Sequence, residues 1–399
     1  MTAQTWRFTP LDSCFFRESR PMDAIGGSEL TSCFPPPIRT LLGAIRSSIG
    51  EYNGVNWKHY LDPQHAPLRE QLGTSKDLAQ IEVSGPWLVQ KINGQWQRLY
   101  PVPLNQVGRV EQGEIQQVVA LEPGVPCHCD LGEKVRMARP PKGVNKITSL
   151  AAYWITGETL NRLLSASGNT IPANELIPAG DLFSEEPRLG IARDNRLRAA
   201  EQGQLYQTRH IRPKPGVAIE VDLQGIMANE ACKLPPEGII RLGAEGRGAA
   251  FEVQPAKPAG LLPYPACAED AKGGLMLTLL TPTAALPAAD GSYAPLPGFN
   301  REGGSWKGKI KGDNYTLHCA ITGKALREGG WDMQAHQPRP VQSYIPGGSV
   351  FYCTPDEISL ATALKKIHLA QLEQPEAIDQ QLGRGRIIAS LWKDRENNS

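Results

Sequence analysis

One stretch, residues 239–253 (IIRLGAEGRGAAFEV), constrains the fold more than any other. Two apolar runs flank a loop carrying Gly243, Gly246 and Gly248, so one strand must pass to the next through a connection nearly bare of side chains. A loop of this kind presents main-chain N–H groups, which suit an anion such as phosphate. Arg241 before it and Arg247 within it add guanidinium groups able to bind phosphate bidentately or stack on a base. Turn geometry alone also accounts for the glycines, and the spacing matches neither a Walker loop nor a dinucleotide fingerprint. Similar loops recur, at Gly347-Gly348-Ser349 between two strand-like runs and at Gly383-Arg384-Gly385-Arg386 ahead of the last apolar run.

The bulk numbers set the frame for these loops. A chain of 399 residues predicts two domains, with VAIEVDLQGIM opening the second, hence 1–215 and 216–399. The 40 glycines and 34 prolines predict turns, β-structure and long loops. Forty-two basic and 41 acidic side chains leave a net charge of +1, so any nucleic-acid surface must gather its positive charge on one face. None of the eight cysteines forms a CxxC pair, and the one tight cluster, Cys127-His128-Cys129, lacks a second half. No metal site and no cofactor is predicted. Without a signal-type N-terminus or any run near the ~18 apolar residues of a membrane span, the expectation is a cytoplasmic protein that does not enter membranes.

Along the chain, TWRFTPLDSCFF (5–16) reads as a first strand ending in a charged bend that holds Arg17 and Arg20. From Ile38 the apolar residues fall at 38, 41, 42, 45 and 49, a helical period that puts Arg39 and Arg46 on the exposed side. Residues 81–90 and 96–104 predict a hairpin with Asn93-Gly94 at its tip. The segment 133–146 reads as a basic mobile loop and 149–165 as an amphipathic helix. Between 186 and 216 come Arg188, Arg193, Arg196, Arg198, Arg209, Arg212 and Lys214, the densest run of positive charge. A helix with apolar 360, 364 and 367 follows late in the chain.

Motifs for catalysis are missing: no GxSxG, no HExxH, no paired carboxylates for metal-assisted phosphoryl chemistry. His210, set in Arg209-His210-Ile211-Arg212, is the one candidate general base for RNA cleavage. The same histidine also fits an RNA contact or a surface residue.

Six blocks then occur in a fixed order: TPLDSCFFRESRP, GGSELTSCFPPPIRTLLGAIRS, PRLGIARDNRLRAAEQGQLYQTRHIRP, LGAEGRGAAFEV, GWDMQAHQPRPVQSYIPGGSVFYC and LGRGRIIASLW. Together they resemble subunit three of the Cmr (type III-B) CRISPR effector complex, of the RAMP superfamily. The nearest confusable relatives are Cas5-like subunits of other type III systems. The resemblance implies an α+β fold of two ferredoxin-like (RRM-like) domains with antiparallel sheets, glycine-rich loops facing RNA and long insertions, here at 51–80 and 286–312. It implies a non-catalytic scaffold that grips the 5′ repeat-derived tag of the crRNA. Its expected partners are the large polymerase-cyclase (Cas10-type) subunit and the backbone RAMP (Cas7-like) subunits, with target RNA met indirectly. Carried over by motif, the expected RNA-binding residues are Arg17, Arg20, Arg39, Arg46, Arg241, Gly243, Gly246, Arg247, Gly248, Gly347, Gly348, Ser349, Arg384 and Arg386, with Arg209, His210 and Arg212 beside them. A rival within the superfamily is an endoribonuclease that processes repeat RNA with His210 as base.

Overall fold

The structure is a computed structural model that describes residues 3–18, 29–129, 132–165, 169–194, 196, 199–256, 266, 273–302 and 304–393. Antiparallel strands dominate and helices are few, giving the α+β class. The chain gathers into two compact units that interleave in sequence: the first holds 1–97, 179–257 and 327–342, the second 98–178, 258–326 and 343–399. They are not the consecutive halves 1–215 and 216–399, since 98–178 belongs with the later part of the chain and 216–257 with the earlier. No helix among the described residues is long and apolar enough to cross a membrane.

In the first unit the elements are β1 (Gln4–Pro10), α1 (Ile38–Tyr52), β2 (Glu82–Ile92), β3 (Phe183–Asp194), β4 (Ala199–Pro213), β5 (Val217–Gln224), β6 (Glu237–Arg241) and β7 (Gly248–Pro255). Its sheet runs β2-β5-β1-β7-β6, antiparallel at each step. Period-two alternation along β1 sends Trp6 and Phe8 to one face, where Trp6 stacks on Phe251 at 5.0 Å. Arg7 points the other way and lies opposite both Glu220 and Glu252, pairing with Glu220 at 2.7 Å. In α1 the whole predicted stripe, Ile38, Leu41, Leu42, Ile45 and Ile49, is buried, each side chain contributing roughly 2 kcal/mol of transfer free energy. Pro37 starts this helix, having no N–H to lose and a fixed φ. Asn93 and Gly94 turn with φ of +51° and +79°, as the hairpin reading requires. The cation-rich segment folds as a long hairpin arm of β3 on β4.

The second unit contains β8 (Gly274–Leu279), β9 (Phe299–Glu302), β10 (Ser305–Ile310), β11 (Asp313–Ile321), β12 (Val350–Pro355), α2 (Leu360–Ile367) and β13 (Ile387–Trp392), in the order β9-β10-β11-β12-β8-β13. Leu275, Leu277 and Leu279 face a core with Phe351, Ile387 and the apolar stripe of α2. Met276, Tyr352 and Trp392 line the opposite face of the same sheet. The insertion 286–312 supplies β9 and β10, which widen this sheet at its edge.

Two local readings change. Segment 133–146 is strand up to Arg139, paired to Glu122–Cys129, so Lys134, Arg136 and Arg139 sit on a ribbon while Lys142 and Lys146 follow it in turns. Residues 149–165 form strand Tyr153–Thr156 before helix Gly157–Leu164, because Trp154 pairs with Pro101 and the Thr156 hydroxyl caps the helix at Thr159 N.

The units share one strand arrangement. Counting β1, β2, β5 and β7 in the first unit, and β8, β11, β12 and β13 in the second, both run second-third-first-fourth in space. In the first unit a helix joins the first strand to the second; in the second unit a helix joins the third to the fourth. The glycine loops at 243–248 and 383–386 each precede a fourth strand.

Candidate RNA interface

In the first unit the loop after β6 doubles back tightly, with Leu242 N donating to Arg247 O at 2.8 Å. Gly243 sits at φ +87°, and a Cβ there would meet Phe15 O at 2.6 Å, so only glycine allows the approach that lets Ala244 N donate to Phe15 O at 2.8 Å. Glu245 and Gly246 continue at positive φ, +58° and +66°. Gly243, Ala244, Glu245 and Gly246 are all exposed. Arg241, also exposed, ends β6 opposite Gly248.

Around this loop the arginines do not stand as bare cations. Arg247 Nη1 lies 2.9 Å from Asp12 Oδ2, and Arg212 Nη1 lies 2.7 Å from Asp12 Oδ1. The Nε of Arg212 also reaches Glu186 Oε2 at 2.7 Å, while Arg188 holds the other oxygen of Glu186 at 2.6 Å and the Ser13 hydroxyl at 2.9 Å. Arg209 pairs with Glu185 at 2.9 Å. The hydrogen bond from Ser13 N and the Arg212 guanidinium hold Asp12 below the usual carboxylate range, and Arg212 and Arg188 do the same to Glu186. Four guanidiniums thus meet three carboxylates, with Glu245 close by. Three cations of the basic run, Arg188, Arg209 and Arg212, are each paired with a carboxylate of the chain.

His210 is not the exposed base its neighbours suggest. It is 0% exposed and stacks on Phe15 at 5.0 Å. Its Nδ1 faces the Ser13 hydroxyl at 3.3 Å, and its Nε2 lies 3.0 Å from Glu245 Oε2 without the alignment of a full hydrogen bond. Burial lowers its pKa, with Glu245 acting against that shift. Alternation along β4 separates Arg209 from His210 but puts Arg212 on the histidine's own face, so the burial of His210 comes from its neighbours Ser13 and Phe15, which the local sequence does not show.

The remaining residues divide. Arg17 is exposed and pairs through its backbone with Ser32; Arg20 and Arg198 lie outside the described residues. On α1, Arg39 is half-buried with a partner inside the chain. Arg46 is no surface cation either: its Nη2 donates to Thr74 O at 2.8 Å beside Tyr60, and burial lowers its pKa. In the second unit Gly347-Gly348-Ser349 turns inward. Gly348 N donates to Leu279 O at 2.7 Å, and the Ser349 hydroxyl, 0% exposed, accepts from Gly323 N at 3.2 Å. Arg384 is 3% exposed, lies over the Tyr344 ring at 4.0 Å and stands 4.0 Å from Asp379. Arg386 is half-buried; its N donates to Thr281 Oγ1 at 2.9 Å and its carbonyl accepts from Leu280 N at 2.8 Å. These residues brace a corner of the fold and present no groove. The sequence reading missed Asp12, Ser13, Phe15 and Glu186. Their one signal was position, immediately after the first strand or two residues before Arg188.

The family model described as CRISPR-associated protein (Cas_Cmr3) matches residues 6–392, and the chain belongs to that family, as the six ordered blocks implied. Among curated proteins no relative matches it. Of solved structures, the type III-B Cmr-beta bound to cognate target RNA contains a chain 14% identical, covering 88% of this chain and 86% of that one at a TM-score of 0.44. The same assembly with AMPPnP gives 14%, 88%, 86% and 0.43. A chain of the Csm3-Csm4 subcomplex of the type III-A CRISPR-Cas interference complex is 12% identical over 88% of this chain and 92% of its own, at 0.36.

Proposed function

We propose that the chain is a non-catalytic, RNA-binding scaffold subunit of a cytoplasmic type III CRISPR effector. In this reading it holds the 5′ repeat-derived tag of the crRNA and links the large polymerase-cyclase subunit to the backbone subunits. Each unit is then a ferredoxin-like RAMP domain, a reading supported by the shared second-third-first-fourth strand order. The observation that carries the RNA assignment is the exposed run Gly243–Gly246, at positive φ on three of four residues, between Arg241 and Arg247. Its main-chain dipoles and those two side chains offer phosphate a ready cradle. Asp12 and Glu186 hold Arg212 and Arg247 in fixed orientation; a phosphate arriving there replaces one carboxylate contact with another anion. The buried His210 argues against the endoribonuclease reading, because a base with no exposure cannot reach a ribose hydroxyl.

Binding through phosphates releases counterions, so RNA affinity must fall steeply with salt. The test is crRNA retention by the purified complex across a salt series, wild type against Arg241→Ala/Arg247→Ala. The reading expects weaker retention and a shallower salt slope in the double variant. Equal retention and equal slope would overturn it.

A further inference from the structure

The glycine loop of the first unit carries one residue at odds with its surroundings. Glu245 stands between Gly243 and Gly246 at φ +58°, a left-handed backbone that a residue with a Cβ enters only at a cost. Its carboxylate also brings negative charge to a loop read as a phosphate site, where like charges repel. Glycine at 245 would avoid both penalties. One contact is set against them: Glu245 Oε2 lies 3.0 Å from His210 Nε2.

His210 is a fixed post. It is 0% exposed, and its ring lies within 10° of parallel to Phe15. Its strand is tied to the segment after β1 by Cys14 N donating to Ile211 O at 2.7 Å and Ile211 N donating to Cys14 O at 2.8 Å. The Ser13 hydroxyl accepts from Arg188 Nη2 at 2.9 Å, so its own proton is left for the histidine Nδ1 at 3.3 Å. That assignment puts the ring proton on Nε2, the nitrogen facing Glu245. The N–H is not aimed straight at the oxygen, so the contact is mainly electrostatic.

What this contact holds is the part of the loop with free amides. The flanks are bonded: Leu242 N donates to Arg247 O, Ala244 N to Phe15 O, and Arg247 N to Ala244 O at 3.4 Å. Glu245 N and Gly246 N, on exposed residues, donate to no acceptor among the described residues. Successive amides of this kind, following Ala244 and both at positive φ, form an anion-binding concavity. A Cβ at Gly246 would meet nothing within 4 Å, so the tip stands clear of the body behind it.

We propose that Glu245 is a positioning residue for RNA: held by His210, it sets the amides of Glu245 and Gly246 in the orientation that a phosphate meets. The proposal rests on the RNA-binding reading of this loop. It explains why a carboxylate is tolerated at a phosphate site and why His210, buried as it is, belongs to that site without reaching RNA.

The test is crRNA retention by the purified complex carrying wild type, Glu245→Gly or Glu245→Gln. Glu245→Gly removes a negative charge and relieves the backbone, so charge and strain alone predict equal or tighter retention. The proposal expects the opposite, retention about fivefold weaker with circular dichroism unchanged, because the tip loses its tether. Glu245→Gln keeps an acceptor for the Nε2 proton and should bring retention back to within about twofold of wild type. Retention at or above wild type in Glu245→Gly overturns the proposal, as does a glutamine variant as weak as the glycine one. Failure of the RNA reading would look different: Arg241→Ala/Arg247→Ala would then retain crRNA as wild type does at every salt concentration, whatever residue stands at 245.

Discussion

The two glycine loops that precede the fourth strands are alike in sequence, each alternating glycine with arginine, yet they end in opposite environments. At 243–248 the loop lies on the surface, anchored by Phe15 O and flanked by paired guanidiniums. At 383–386 the loop is packed: Gly383 and Gly385 take φ of +68° and +72°, Gly385 N donates to Pro282 O at 2.8 Å, and Arg384 is covered by Tyr344. Glycine provides the left-handed backbone in both. What the neighbouring chain does with the exposed amides decides whether the loop is a site or a joint.

Variants in the two loops should therefore fail in different ways. The largest effect is expected at Arg384→Ala, which removes the guanidinium 4.0 Å from Asp379, itself 2% exposed, and costs roughly 3 kcal/mol of stability by denaturant unfolding. Next is Gly243→Ala, where the Phe15 carbonyl and the positive φ together predict a loss of roughly 1–3 kcal/mol and a displaced loop. Arg247→Glu, one-fifth exposed, should change stability by less than about 1 kcal/mol but weaken crRNA retention about tenfold at moderate salt. Arg386→Glu should do the reverse, costing stability without a specific loss of RNA; specific RNA loss there, with stability intact, would erase the contrast between the loops.

The smallest effect is expected from acid acting on the histidine beside the first loop. Because burial lowers the pKa of His210 in the fold, the unfolded chain binds the extra proton first. Stability from this group is therefore complete above the ordinary histidine range, about 6.5, and declines as pH falls below it. His210→Phe, which keeps the stack on Phe15, should flatten that decline in thermal melts at pH 5 to 7. An unchanged slope would mean that another group carries it.

The sequence made some of this legible. The α1 stripe and the Asn93-Gly94 turn followed from period and turn chemistry, which are local properties. Burial was not local. Arg46, Arg384 and Ser349 resemble surface residues in sequence, and only tertiary neighbours, Thr74 with Tyr60, Tyr344 with Asp379, and Gly323, turn them into structural ones. Asp12 and Glu186 were invisible for the converse reason. A carboxylate near arginines in sequence says nothing about pairing until β1, β3 and β4 bring them together. The interleaved units likewise required pairing of β5 beside β1 across more than half the chain.

The most direct measurement is photocrosslinking in the assembled complex, using crRNA that carries a photoreactive nucleotide at its 5′ end, with the crosslinked peptides identified by mass. The account predicts crosslinks within 239–253 and 205–213 of this chain, and none within 343–349 or 381–387. Crosslinks confined to another polypeptide, or to the buried second loop, would contradict it.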